Sequence, residues 1–134
     1  MVLVDTSVWV AHLKTGNIGL ETLLNNSYVV CHPFIIGELA CGTLKNRSEI
    51  LSLLQALPMA TQVDHEEVIR FIDNYRLMGK GLGYIDMHLL ASAILTHIPL
   101  WTLDKRLKNV SSTLGIKWKN LCFHNPISIP LSML

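Results

Sequence analysis

Four acidic residues stand where an unpaired carboxylate is hard to explain: Asp5, Glu38, Asp86 and Asp104. Asp5 directly follows the apolar run Val2-Leu3-Val4. Glu38, in Phe34-Ile35-Ile36-Gly37-Glu38-Leu39-Ala40-Cys41, has Phe34, Ile35, Cys41 and Gly42 as its neighbours at helical spacing, and Asp86 has Leu82, Gly83, Leu89 and Leu90. Asp104 ends Leu100-Trp101-Thr102-Leu103, with Lys105 and Lys108 nearby. A carboxylate taken out of water costs on the order of several kcal/mol unless it is paired, so four in apolar settings require a compensating positive charge. Few local cations are on hand, and a divalent cation held where the strands end is the economical answer. Oxygen donors without His or Cys partners select Mg²⁺, or Mn²⁺ as a substitute. Because Mg²⁺ takes only one or two carboxylates directly and keeps water and substrate phosphates in its shell, the chemistry implied is phosphoester hydrolysis by an activated water. Thr6 and Ser7, at the start of the helix that follows Asp5, are placed to orient water or an anion, although either alone reads first as a helix cap.

The other six acids have ordinary surroundings. Glu49 has Lys45 four residues before it, Glu66 has Arg70 four after it, and Asp73 lies between Arg70 and Arg76, as on solvated helix faces. Glu21, Asp64 and Glu67 sit in polar or helix-start contexts. The six histidines show no metal-ligand spacing and read as structural or surface groups, and Trp9, Trp101 and Trp118 read as core.

The elements that must position the four acids follow from periodicity. Buried strands are predicted at Val2–Val4, Tyr28–Cys31, Met59–Val63 and Leu100–Leu103, with a fifth at Ile116–Trp118. Ile50, Leu53, Leu54 and Leu57 repeat at helical spacing, as do Val68, Phe71, Ile72 and Tyr75. Asp64 and Glu67 form a capping pair for the second of these helices and Gly79 a stop, while Pro33 suits the first turn of a helix over Phe34–Leu44. Alternating strands and helices imply a three-layer α/β/α fold with a mostly parallel central sheet, whose reactive groups gather at the carboxyl ends of the strands. The expected organisation is one domain over residues 1–119. Residues 120–134 break the pattern with Pro126 and Pro130, and leave open an edge strand or a partner-binding arm.

Composition excludes several classes. Of 134 residues, 50% are hydrophobic and 16% charged, too apolar for a disordered segment and enough for one core. Cys31, Cys41 and Cys122 are odd in number and widely spaced, which argues against a disulfide scaffold or zinc knuckle and fits a reducing cytoplasm. The most apolar stretch, Leu89–Leu103, is too short for a membrane span and contains His97 and Pro99, and no hydrophobic leader precedes Val2. A net charge of +1 gives no broad basic surface, so any polyanion site must be local. Lys14, Lys45, Arg47, Arg76, Lys80, Lys105, Arg106 and Lys108 lie near the acid-bearing segments as candidates for a phosphate-contacting rim.

At its four acids the chain resembles the PIN-domain nucleases, and in particular the VapC-type toxins of bacterial and archaeal toxin–antitoxin pairs. Val4-Asp5-Thr6-Ser7-Val8-Trp9 looks like that family's strand-end acid motif, and Ile36-Gly37-Glu38-Leu39 like its helix-borne glutamate. Gly83 to Ala93 resembles the third motif and Trp101 to Leu107 the fourth. The likeness spans Met1 to Lys119, with the motifs in family order. It implies Asp5 and Asp86 as the first-choice metal ligands, Glu38 and Asp104 completing the acidic site, and Ser7 and Thr102 as supporting polar groups. It further implies Mg²⁺-dependent endonucleolytic cleavage of RNA to 5′-phosphate and 3′-hydroxyl ends, a homodimer, and a VapB-type antitoxin that covers the toxin. The alternatives are a Mg²⁺-dependent phosphatase, which wants a second Asp where Ser7 stands, and a non-catalytic RNA- or protein-binding module of the same fold.

Overall fold

Val2, Leu3 and Val4 form β1 (Val2–Val4), and none of the three is exposed to solvent, so both faces of this strand must be covered. The computed structural model describes residues 1–119. In it β1 is the middle strand of a parallel sheet, flanked by β2 (Val29–Val30) and β3 (Leu100–Trp101) in the order β2-β1-β3. The register pairs Val2 with Val29 and Val4 with Trp101. Two single parallel bridges extend this order at both edges, Met59 beside Cys31 and Lys117 beside Leu100. Parallel crossovers are right-handed, so the move from β1 to β2 on one side and the return past β1 to β3 on the other place helices on both faces. The result is the three-layer α/β/α arrangement, with the strand order reversing at β1, the place where open α/β sheets bind their ligands.

Among the described residues seven helices accompany the strands: α1 (Thr6–Thr15), α2 (Ile18–Asn25), α3 (Pro33–Ala40), α4 (Arg47–Gln55), α5 (His65–Tyr75), α6 (Tyr84–Thr96) and α7 (Lys105–Thr113). Their starts are dictated locally. Asp5, Asn17, His32, Asp64 and Asp104 each place a side-chain acceptor on a free N–H of the first turn, and Pro33 occupies the first turn of α3. Asp64 and Glu67 form the predicted reciprocal capping box. Helix α6 buries seven consecutive residues, Met87 to Ala93, and packs against α5 and β3, which makes it the central helix of its layer. No helix among the described residues is long and apolar enough to cross a membrane.

Several local expectations are corrected. Met59–Val63 is a single bridge rather than a strand, because the N–H of Thr61 turns away to the hydroxyl of Thr96. Ile116–Trp118 likewise forms one bridge. Helix α3 stops at Ala40 instead of Leu44: the N–H of Cys41 folds back onto the carbonyls of Gly37 and Glu38, and the Arg47 guanidinium takes the Ala40 carbonyl. Helix α5 ends at Tyr75 with Arg76 in the left-handed region (φ 52°), and Gly79, the expected stop, falls in the turn beyond. Helices α2 and α7 had no counterpart in the periodicity reading. Residues 120–134, with the edge-strand and partner-arm alternatives and Cys122, lie outside the described residues.

Candidate active site

Three of the four acids sit where a strand or loop delivers the chain to a helix, while Glu38 lies in the last turn of its helix. Asp5 leaves β1 and caps α1. Asp104 follows β3 and caps α7. Glu38 lies on α3, which follows β2, and Asp86 lies in the first turn of α6. The N–H of Asp5 binds the carbonyl of Trp101, fixing the ends of β1 and β3 side by side.

Asp5 is buried and fully engaged on one side. Its Oδ2 accepts the hydroxyl protons of Ser7 (2.8 Å) and Thr102 (2.7 Å) and faces the N–H of Ser7 at 3.4 Å. Each hydroxyl has one proton, so with both donated to Asp5 the 3.2 Å approach of the two hydroxyl oxygens reflects their shared acceptor. Their lone pairs are used in turn: Ser7 Oγ accepts from the N–H of Leu103 and Thr102 Oγ1 from that of Asp104. Ser7 and Thr102 thus hold Asp5 in place and tie it to the Asp104 segment. Thr6, expected beside Ser7 as a water- or anion-orienting group, instead donates its hydroxyl to Glu38 Oε1 at 2.8 Å.

The same pattern recurs at each acid. Asp86 Oδ2 accepts the N–H of Gly83 (3.1 Å), and Asp104 Oδ1 accepts that of Leu107 (3.0 Å). In all four carboxylates one oxygen makes the positioning bonds, and the second takes no hydrogen bond from any described residue. Gly83 is the contributor that residue chemistry alone did not single out, although its spacing three residues before Asp86 is the signal of a helix-start contact.

The environments differ from the sequence expectation in one respect. Asp5 is buried and Asp86 half-buried, but Glu38 and Asp104 are exposed, since α3 and α7 turn these side chains outward to water. Those two need no counter-charge for burial, whereas Asp86 meets both burial and like charge. Partial burial raises its carboxyl above the ordinary range, the Gly83 N–H opposes this, and the charges of Asp5 and Asp104 add to the rise. Three acids therefore share one field. Among the described residues no three acidic, imidazole or thiol groups come close enough to ligate one ion together. An all-oxygen set with open oxygens and mutual repulsion still fits a hard divalent ion that keeps most of its water.

Beside the acids runs a ladder of edge-to-face rings, His32–Phe34–His88–Tyr84, with centroid spacings of 5.0, 4.9 and 4.6 Å, and His65 closes it by a 2.7 Å bond to the Tyr84 hydroxyl. It packs the starts of α3, α5 and α6 together, and so fixes the helices bearing Glu38 and Asp86. The hollow of about 690 Å³ between the far ends of α5, α6 and α7 contains none of the acids.

Comparison with known proteins agrees with this geometry. The PIN domain family model matches residues 2–112. The chain is 44% identical over 117 residues, covering 87% of its own length and 94% of the relative, to Ribonuclease VapC32 of Mycobacterium tuberculosis, with the same figures for strains CDC 1551 / Oshkosh and ATCC 25618 / H37Rv. With Asp5, Asp86 and Asp104 in one another's field on a parallel three-layer sheet, Glu38 tied to Thr6 beside Asp5, and with these matches, the chain belongs to the PIN-domain family and is of the VapC type.

Proposed function

We propose that this protein is the toxin of a toxin–antitoxin pair, an endoribonuclease that depends on Mg²⁺ and works in the cytoplasm. The observation behind this reading is the division of labour within each carboxylate, one oxygen for position and one left open. Such a set serves a cation and a phosphodiester better than it serves the fold. Asp5 and Asp86 are the first-choice ligands, with Glu38 and Asp104 acting directly or through water. A divalent ion bound there supplies neutralisation of phosphate oxygens and a lowered pKa for water, with Mn²⁺ a workable substitute. Ser7 and Thr102 keep Asp5 in one rotamer. Thr6 does the same for Glu38, and the Gly83 N–H for Asp86. The relatives' name, Ribonuclease VapC32, supports RNA as the substrate and a VapB-type antitoxin as the partner. A homodimer belongs to the same reading.

The test is cleavage of RNA by the purified chain in Mg²⁺ or Mn²⁺, with the product ends mapped. Wild type is expected to leave 5′-phosphate and 3′-hydroxyl ends, and both EDTA and Asp5→Asn to abolish cleavage without loss of the circular-dichroism spectrum. Full activity in EDTA, or equal activity of wild type and Asp5→Asn, refutes the proposal.

A further inference from the structure

The chain has 11 Lys and Arg residues, and one of them is placed unlike the rest. Arg106 lies in the first turn of α7, two residues after Asp104, and reaches across to the loop that leads into α6 and Asp86. There it lies flat on Gly81: a Cβ at that position would stand 2.9 Å from both Cδ and Nη1 of Arg106, and 3.2 Å from Cζ. Glycine suits this position because its φ of +79° is a conformation that other residues rarely adopt, and the missing side chain leaves room for Arg106 to approach. Arg106 therefore spans the two segments that deliver Asp104 and Asp86.

What sets it apart is this position, because the lack of a hydrogen-bond or ion-pair partner is shared by every described Lys and Arg except Arg47. Arg106 is exposed and makes no hydrogen bond or ion pair with any described residue. Lys105 and Lys108 share its helical turn, which contains no acidic residue. Cations oppose the positive end of the helix dipole, so three of them in one first turn offset part of what the Asp104 cap contributes. A planar, permanently charged group braced on a glycine and left unpaired is suited to two-point contact with a phosphate.

We propose that Arg106, braced on Gly81, binds a backbone phosphate of the RNA next to the cleaved bond, with Lys105 and Lys108 adding to the local field. This rests on the ribonuclease reading for the identity of the polyanion. Arg106 is thus a substrate-positioning residue, and it answers how a chain of net charge +1 draws RNA to four carboxylates.

The experiment measures binding of a fluorescein-labelled single-stranded RNA to the full chain carrying Asp5→Asn, across a salt series, with Arg106→Ala, Arg106→Lys and, as a control for charge loss, Arg70→Ala on α5. Cleavage kinetics are read in parallel on the same substitutions without Asp5→Asn. Arg106→Ala is expected to weaken binding about tenfold. Losing one single-strand phosphate contact also reduces the drop in affinity between 50 and 200 mM salt by about 2.6-fold. KM rises with kcat little changed, Arg106→Lys recovers part of the affinity, and Arg70→Ala behaves as the parent. Unchanged affinity and salt slope in Arg106→Ala overturn the inference, whether or not the wild type cleaves. If the wild type binds RNA through Arg106 but cannot cleave it, the phosphate contact stands and the ribonuclease reading falls. Absence of RNA binding by the parent overturns both.

Discussion

Thr102 is the residue at which one missing atom group has the most calculable effect. Its side chain is 3% exposed, and its hydroxyl donates to the buried Asp5 at 2.7 Å while accepting the Asp104 N–H at 3.0 Å. Thr102→Val keeps the shape and removes both bonds. A hydrogen bond to a charged group contributes about 1.5–3 kcal/mol and a neutral one about 1 kcal/mol. Asp5 retains Ser7, and valine regains a little apolar burial, so a net destabilisation of about 3 kcal/mol is expected. With a urea dependence of roughly 2 kcal/mol per molar for a domain of this size, the unfolding midpoint falls by about 1.5 M. The assay is equilibrium urea unfolding at neutral pH of wild type, Thr102→Val, Asp5→Asn and the double variant. The cycle should return a coupling above about 1 kcal/mol, because the loss comes from a bond to the Asp5 carboxylate. A midpoint shift below about 0.3 M, or the same loss in the Asp5→Asn background, would refute this account of how Asp5 is held.

Two further outcomes follow from protonation. For Asp86, a carboxyl raised in the fold binds its proton more tightly folded than unfolded, so the penalty is absent below the ordinary carboxylate range and complete once pH has risen past the folded value. Asp86→Asn, which keeps an acceptor for Gly83, should therefore melt above wild type at pH 7 without divalent ions, with the gap closing toward about pH 4. A lower melting temperature at pH 7, or a gap independent of pH, contradicts it. For His32, burial first and then the nearby His88 lower the imidazole from 6.5 to about 4. Its contribution is present above 6.5 and lost as pH falls, about 2 kcal/mol by pH 5. His32→Asn keeps a cap for the Phe34 N–H, and chemical denaturation at pH 7 and pH 5 should show a smaller acid-induced loss than wild type; an equal loss counts against the assignment.

Much of the site was legible because its chemistry is local. Asp5 after an apolar strand, Asp86 in the first turn of an apolar helix and the Asp64–Glu67 capping pair are each defined by neighbours within four residues, and the structure keeps them as read. The strand at Met59 and the end of α3 were misread for the opposite reason. Their limits are set by the Thr96 hydroxyl and the Arg47 guanidinium, which no local pattern announces. Exposure was misjudged at Glu38 and Asp104 because an apolar neighbourhood along the helix does not say which face meets the core.

The sequence by itself determined which residues could hold charge, where the strands β1, β2 and β3 lie, and that Asp5 and Asp104 follow two of them. Only the tertiary structure decided which oxygen of each acid is tied and which is open. Those bonds join residues as far apart as Asp5 and Thr102, 97 positions along the chain, and Thr6 and Glu38, 32 positions. Contacts of that separation exist only after the parallel sheet has brought three strand ends together, since a parallel pair cannot form through a tight turn.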